Sequence, residues 1–256
     1  MFKTEFIHTR YIRMSKDNSD SKTMMSKNRR MRRLRADYLS ILRRPDCDIV
    51  RVDDSNEHYY ILWHIEGGLY DGQTHVIEIK TRYGTNLETY VYPDVRPNVR
   101  FLTSIWHNNV GTSHGGVCVD FLYSAEKWTS IYTFDIIISA IQLLLYTPNT
   151  HGAHYNSEAS RTHSDCQAKY MELSKGKPLS ECKGLEEKCF EPFINQVKKH
   201  YKPSQLKAFI KYFPYLAETN KIMKSPEKMA ELEAYDNSKK KKTKKVKKNL
   251  DELFDE

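Results

Sequence analysis

The sequence contains no long hydrophobic run, although 39% of its 256 residues are hydrophobic. No window approaches the roughly 18 uninterrupted apolar residues that a helix needs to cross a bilayer. The N-terminal segment MFKTEFIHTRYIRMSKDNSD also lacks the apolar stretch of a secretory signal. We therefore expect a protein without a membrane segment that resides in the cytoplasm, the nucleus or both.

Cysteine is sparse and irregularly spaced. The chain has five cysteines, at Cys47, Cys118, Cys166, Cys182 and Cys189. An odd number of cysteines in a chain long enough to bury a full core does not match the disulfide framework of small secreted domains. A reducing compartment inside the cell fits this pattern best.

Acidic residues are outnumbered, and the surplus of positive charge is concentrated in two places. The formal net charge is +8, with seven arginines between Arg29 and Arg44 and eight lysines in Lys239–Lys248. The lysine run suits a nuclear-localisation signal, a nucleic-acid contact or a solubilising tail. Because no aromatic residues interleave with these lysines, the run specifies none of the three functions.

The distribution of polar and apolar residues predicts one core with appendages, and no internal repeat is evident. A mean hydropathy of -0.70 and 29% charged residues indicate that long solvated segments lie at the ends. The predicted organisation is a flexible polar arm at 1–26, a core domain at 27–173, a helical extension at 174–236, and a basic then acidic disordered tail at 237–256.

Hydrophobic periodicity predicts the elements of the core domain. Apolar residues at helical spacing between Met31 and Leu42 predict an amphipathic helix with a basic face, which Pro45 ends. Phe134–Tyr146 is apolar almost all round and predicts a central helix buried on most sides. An antiparallel meander is predicted from four runs, namely Ile49–Val52, Tyr59–Ile65, His75–Lys80 and Val99–Ile105. The expected fold class is α+β, with a four-stranded sheet backed by helices.

Two segments flank the predicted central helix. His107–Trp128 is rich in Asn, Gly and Ser and is too long for a passive connection, so we expect it to carry function. After Thr147-Pro148-Asn149 ends the central helix, Ser157–Leu173 predicts another helix, with Asn156 as its N-cap.

The motifs between residues 92 and 128 follow one another in an order that resembles the ubiquitin-conjugating enzyme family. Tyr92-Pro93 leads through the fourth strand into His107-Asn108-Asn109, which is similar to the family's His-Pro-Asn except that Asn108 replaces the proline. Nine residues beyond Asn109 stands Cys118 within the stretch GVCVDFL, which closely resembles the Gly-x-Cys-Leu-Asp-x-Leu around the family's nucleophile. With the matching order of elements, the resemblance covers about residues 27–173.

This resemblance implies a thioester-forming transferase with the ubiquitin-conjugating fold. Cys118 would accept ubiquitin or a ubiquitin-like modifier from an activating enzyme and pass it to a substrate lysine or a ligase cysteine. Asn109 would stabilise the oxyanion that develops when an amine attacks the thioester. His107, Asp120 and Trp128 would support the loop and the nucleophile segment.

The resemblance also implies partners. The basic helix 29–44 would dock on the ubiquitin-activating enzyme, and a ubiquitin ligase and protein substrates would bind elsewhere. The activating enzyme consumes ATP, so we expect no cofactor on this chain. Two alternatives stay open, a catalytically inactive scaffold that binds ubiquitin and a nucleic-acid-binding protein that acts through its basic C-terminal part. The divergent loops and unusual extensions suit an idiosyncratic lineage such as a large DNA virus.

One segment departs from the family pattern where a base for the acceptor lysine is expected. Residues 150–155 contain no carboxylate, although a lysine with a pKa of about 10.4 needs help to lose its proton. Either His151 or His154 is that base, or the enzyme passes its cargo mainly to a ligase cysteine. These two histidines with His163 and Cys166 are also zinc-ligand types, but their spacing is not a recognised zinc pattern and we expect no bound metal.

Overall fold

The computed structural model describes residues 27–82, 92–149, 155–182, 184–217 and 222–254. The predicted arm at 1–26 and the histidines His151 and His154 lie outside these ranges. Helix α1 spans residues 27–43. The other elements are β1 Cys47–Arg51, β2 His58–His64, β3 Thr74–Lys80, β4 Asn98–Phe101, α2 Asp120–Tyr123, α3 Phe134–Tyr146, α4 Ser157–Ser174, α5 Leu179–Cys182, α6 Leu185–His200 and α7 Pro226–Phe254. The predicted α+β fold class is confirmed.

The four strands form one antiparallel meander in chain order. Ile49, Ile61, Ile77 and Phe101 are paired in succession across it, and all four are buried. Because side chains alternate along a strand, this row lies on one face of the sheet, which packs on the main core. The alternation in the sequence therefore determines which face is internal.

Strand β4 is shorter than the predicted fourth strand. The ladder ends at Phe101, because the hydroxyl of Thr103 takes over as acceptor for the backbone N–H of Val76 at 3.1 Å. The imidazole of buried His75 lies 3.0 Å from the same hydroxyl. A side-chain bond of this kind competes with the backbone hydrogen bonds between strands. The alternation of apolar residues in the sequence did not indicate that the strand would end early.

Helix α3 has the predicted bounds, and Thr133 caps it by accepting a bond from the N–H of Ile136. The prediction that this helix is buried on most sides is wrong. Only one face is buried, whereas Leu143 is 65% exposed and Tyr146 is 42% exposed. An apolar composition shows that a helix can be covered on all sides, but the neighbouring elements decide whether it is.

Helices α4 and α6 close the core. The amide oxygen of Asn156 accepts a bond from the N–H of Ala159, which confirms the predicted N-cap of α4. The rings of Phe190 and Phe193 on α6 pack on buried His163 of α4. These α6 residues belong to the same hydrophobic core as the sheet, so the core extends beyond residue 173.

The chain after α6 crosses the outer face of the sheet. Phe213 is 2% exposed and packs with Leu62 of β2 and Val76 of β3. The side-chain oxygen of Gln205 accepts a bond from the N–H of Ser104 at 2.8 Å. Both faces of the sheet are therefore covered, one by the main core and the other by residues of the extension.

Replacement of Phe213 by alanine should lower the free energy of unfolding by about 3 kcal/mol, because a large buried ring is deleted and a cavity is left. The neighbouring Ile210→Ala is the control, since Ile210 is 39% exposed. Urea denaturation of the two variants measures the difference. Equal small losses would contradict the packing of the extension on the sheet.

Helix α7 returns to the first helix. The ammonium group of Lys228 lies 2.6 Å from a carboxylate oxygen of buried Asp48. Arg43 on α1 pairs with Asp236 on α7, and its guanidinium lies 5.7 Å from the centre of the Tyr235 ring. The extension thus spans the sheet and ends on the basic face of α1.

The prediction of a disordered tail at 237–256 is wrong for the part of it that the structure describes. Helix α7 continues to Phe254. Lysine, glutamate and leucine are good helix formers, and the packed turns from Lys228 to Asp236 supply the nucleus that a short isolated helix lacks.

Among the described residues, no helix has the length and apolar character to cross a membrane.

Candidate active site

The loop after β4 folds back on itself and presents Cys118. Val110 bridges to Val117, and the N–H of Gly111 donates to the carbonyl of Gly116 at 2.9 Å. Gly115 has φ +68°, and a Cβ there would lie 2.0 Å from the Phe101 carbonyl oxygen, so only glycine fits. This small hairpin ends one residue before Cys118.

Cys118 and Asn109 are neighbours through their backbones. The N–H of Cys118 donates to the carbonyl oxygen of Asn109 at 2.8 Å. The structure therefore brings together the two residues for which the sequence predicts chemistry. The cysteine side chain is half-buried, whereas the four other cysteines are buried.

His107 ties this loop to the central helix as a neutral imidazole. Its Nδ1 accepts a bond from the N–H of Asn109 at 2.9 Å, so its Nε2 carries the proton and donates to the carbonyl oxygen of Leu144 at 3.1 Å. Burial lowers the pKa of His107 to about 3. His107 is thus a fixed connector over the physiological pH range.

The side chain of Asn109 is engaged with the chain that follows α3. Its Oδ1 accepts from the N–H of Asn149 at 3.0 Å, and its Nδ2 donates to the Asn149 carbonyl at 3.1 Å. An amide nitrogen carries two hydrogens, so one remains after this bridge is made. Stabilisation of the oxyanion by Asn109 therefore stays a prediction. Its two bonds to Asn149 show that Asn109 positions the loop.

Asn108 occupies the place where the resembling motif has proline, and it is fully buried. Within the described part of the chain, its side-chain oxygen and nitrogen have no hydrogen-bond partner. Its carbonyl oxygen accepts bonds from Tyr155 and Asn156 at 3.0 and 3.1 Å. The backbone of Asn108 thus holds the start of α4, while its unsatisfied amide costs about 1–3 kcal/mol.

The electrostatic environment of Cys118 disfavours the thiolate. Burial raises the pKa of the thiol, and the carboxylate of Asp120 raises it further. Asp120 begins α2 and forms a 2.7 Å ion pair with Lys127 at the surface. The thiol therefore is mostly protonated at neutral pH, which suits exchange between two thioesters more than attack on an unactivated acyl group.

Alkylation by iodoacetamide should test this pKa. Labelling of native protein should occur first at Cys118 and accelerate by about tenfold per pH unit up to pH 8, because only the thiolate reacts. Asp120→Asn removes a negative charge that opposes the thiolate, so it should lower the pKa and raise the rate at pH 7 about twofold.

The matched control for this variant is Glu126→Gln, which removes the same charge from the neighbouring turn Ala125–Lys127. Mass spectrometry identifies the labelled cysteine and gives the rate. An Asp120→Asn profile that coincides with the control would contradict the coupling between this carboxylate and the thiol.

Trp128 braces the segment that follows the cysteine. Its indole Nε1 donates to the carbonyl of Pro93 at 2.8 Å. Its ring contacts Tyr92 and Phe121, with ring centres 5.9 and 6.3 Å apart. These contacts connect α2 to the chain before β4 and give Trp128 a supporting position.

Tyr155 is a neighbour of Cys118 that the sequence did not indicate. Burial raises the pKa of its phenol, and the nearby Cys118 thiol and Tyr123 add to the effect. Its ring packs edge-on against His114 at 5.3 Å. The available signal was its position immediately before the N-cap of α4, in the segment where the family pattern predicts a base.

The described residues contain no group of three His, Cys, Asp or Glu side chains placed to hold a metal ion. Of the residues considered for zinc, His163 and Cys166 are buried on α4, and His163 faces aromatic rings. His151 and His154 lie outside the described residues.

Comparisons with known proteins identify a family. A family model described as ubiquitin-conjugating enzyme matches residues 33–176. The chain is 35% identical over 80 residues to a ubiquitin-conjugating enzyme E2 2 of Trichoderma harzianum, covering 31% of this chain and 50% of that protein. It is 26% identical over 160 residues to the ubiquitin-conjugating enzyme E2-20 kDa of Schizosaccharomyces pombe. That match covers 62% of this chain and 86% of that protein.

Among solved structures, the E2 domain of a Toxoplasma gondii ubiquitin conjugating enzyme is similar, with 17% identity, a TM-score of 0.46, and coverage of 67% of this chain and 99% of that one. The chain spans about half the length of the first curated relatives that it matches. The family model covers more than half of the chain and contains Cys118, Asn109, His107 and Trp128. This chain therefore belongs to the ubiquitin-conjugating enzyme family.

Proposed function

We propose that this protein accepts ubiquitin or a ubiquitin-like modifier as a thioester on Cys118 and passes it to a substrate lysine or a ligase cysteine. The observation that supports this most directly is that Cys118 is the one cysteine of the five that is not buried. It lies against Asn109 in a chain of this family. A scaffold that only binds ubiquitin would not need this accessible thiol.

In the proposed charging step, the Cys118 thiolate attacks the carbonyl carbon of a modifier that is held as a thioester by the activating enzyme. A new carbon–sulfur bond forms, the old one breaks, and the cysteine of the activating enzyme leaves as a thiolate. Because one thioester replaces another, the step is nearly isoenergetic and the raised pKa of Cys118 is tolerable.

In the proposed transfer to lysine, the acceptor amine must lose a proton as it attacks the thioester carbon. The phenol of Tyr155 has a raised pKa and stays protonated at neutral pH, so it does not serve as the base. We keep His151 or His154 as the proposed base, with transfer to a ligase cysteine as the alternative route.

For docking on the activating enzyme, we propose the N-terminal half of α1. Two of its arginines have internal partners: Arg30 pairs with Glu57, and Arg33 bonds Asp37 and Tyr92. The exposed Arg29 and Arg32 lie away from these contacts and supply the positive charge that steers association.

The experiment that tests the function is incubation of the full chain with ubiquitin-activating enzyme, ubiquitin and ATP, followed by a non-reducing gel. A band larger by one ubiquitin that disappears with reductant is the expected result. If folded protein forms no such band with ubiquitin or with ubiquitin-like modifiers and their own activating enzymes, the thioester function is wrong. The scaffold alternative would then explain the family membership.

A further inference from the structure

A basic trough lies beside the candidate nucleophile. It has a volume of about 660 Å³ and runs between β4 and the turn that contains α2. Gly116 and Val117, which immediately precede Cys118, form part of its wall. Tyr155 forms another part. Cys118 itself does not line the trough, so a chain lying in it would pass the two residues that precede the candidate nucleophile.

Positive charge predominates along this trough. Its lining contains four basic side chains and one carboxylate; these are Lys80, Arg82, Arg96, Arg100 and Glu78. His114 also lines it and adds charge only when protonated. The fields of several cations on one wall add up and attract a negatively charged segment.

Among the described residues, the carboxylates that pair with this lining are Glu78 and Glu57, and each is shared by more than one basic group. Glu78 is buried, and its carboxylate has three partners. These are Arg100 at 2.5 Å, His58 at 2.7 Å and Lys80 at 3.4 Å. Glu57 lies 2.7 Å from Arg82 but also pairs with Arg30 at 3.0 Å. The side chains of Lys80, Arg82 and Arg100 remain about 40% exposed, so they can meet a ligand.

Asp120 is the acidic group whose charge raises the pKa of the Cys118 thiol, and it does not line the trough. Its carboxylate is paired with Lys127 at 2.7 Å. The negative charge beside Cys118 is thus on α2 and is already partnered, while the unbalanced positive charge is on the strand side. An acceptor with acidic residues next to its lysine would be attracted to the strand side.

We propose that this trough binds an acidic segment of the acceptor protein and so selects lysines flanked by aspartate or glutamate. This assignment rests on the proposed thioester function of Cys118. A polypeptide is favoured over a nucleic acid as the occupant, because the trough leads to a thioester whose acceptor is an aliphatic amine. The carboxylates would pair with Lys80, Arg82 and Arg100, and the lysine amine would then lie next to Cys118.

The test uses two fluorescent peptides that contain one lysine, flanked by glutamates in the first and by glutamines in the second. Binding to the uncharged full chain is measured by fluorescence anisotropy, and discharge of the preformed ubiquitin thioester onto each peptide is measured on gels. The variant is Lys80→Gln with Arg82→Gln. The control is Lys198→Gln with Lys199→Gln, which removes the same charge from the exposed face of α6.

The acidic peptide should bind to wild type and to the control variant, and it should be modified about fivefold faster than the neutral peptide. The Lys80→Gln, Arg82→Gln variant should lose this preference but still discharge to free lysine at the wild-type rate. The charge-retaining Lys80→Arg, Arg82→Lys variant should keep the preference, which separates lost charge from misfolding.

Equal discharge onto both peptides by a wild-type thioester would overturn the trough assignment and leave the proposed function intact. Absence of any thioester on Cys118 would overturn the proposed function and the acceptor assignment with it. A single-stranded oligonucleotide of equal charge is the third ligand. If it binds more tightly than the acidic peptide and loses binding in the Lys80→Gln, Arg82→Gln variant, the occupant of the trough is a nucleic acid and the acidic-segment assignment is wrong.

Discussion

Replacement of Cys118 by alanine should abolish the reductant-sensitive ubiquitin adduct completely. The four remaining cysteines are buried, with Cys182 the most exposed of them at 9%, so none can reach the thioester of the activating enzyme. Because a reductant-sensitive adduct requires a thioester and hence a thiol, the expected loss is total rather than partial. The measurement is a non-reducing gel at equal protein and enzyme concentrations.

The control for this prediction is Cys182→Ala, which should form the adduct at the wild-type rate. A Cys118→Ser variant tests the chemistry more sharply. Its hydroxyl would form an oxyester, which reductants do not cleave but hydroxide does. An adduct that persists in Cys118→Ala, or one that remains sensitive to reductant in Cys118→Ser, would show that the modifier is carried elsewhere.

Replacement of Asn109 by alanine should slow transfer of ubiquitin from Cys118 to free lysine by about 100-fold. Two causes contribute. The change removes both bonds to the backbone of Asn149, which hold the loop beside the cysteine. It also removes the remaining amide hydrogen that is available to an oxyanion. Single-turnover discharge of the preformed thioester measures the rate.

Asn108→Ala is a matched control, because Asn108 is a buried neighbour whose amide has no described partner. Its discharge rate should stay within about threefold of wild type. Thermal unfolding of both variants shows how much of the effect is loss of structure. If Asn109→Ala slows charging and discharge equally, Asn109 acts only through the loop, and the oxyanion role is wrong.

Residues that are close in the chain specify much of the site. Cys118, Asn109 and His107 lie within twelve residues of one another, and the spacing that makes them neighbours is set by a single folded loop. The alternation of apolar residues likewise identifies four strands, and helical spacing identifies the bounds of α3. Residues on a buried face recur at the fixed spacing of the strand or helix, so the sequence shows them.

Other features cannot be predicted locally because they depend on residues far apart in the chain. The pairing of Lys228 with Asp48 joins positions 180 residues apart, and nothing local indicates that the extension crosses the sheet and covers it. The same holds for α7, since a lysine run predicts a solvated tail unless the packed turns that precede it are known.

The sequence by itself determined the family, the fold class and the position of the candidate nucleophile, since short motifs and periodicity encode local geometry. Only the tertiary structure decided that the side chain of Asn109 bonds the backbone of Asn149, that Tyr155 lines the same trough as Val117, and that basic side chains of two strands line it as well. These arrangements come from packing between distant segments, whose free energy depends on contacts that no single stretch of sequence contains.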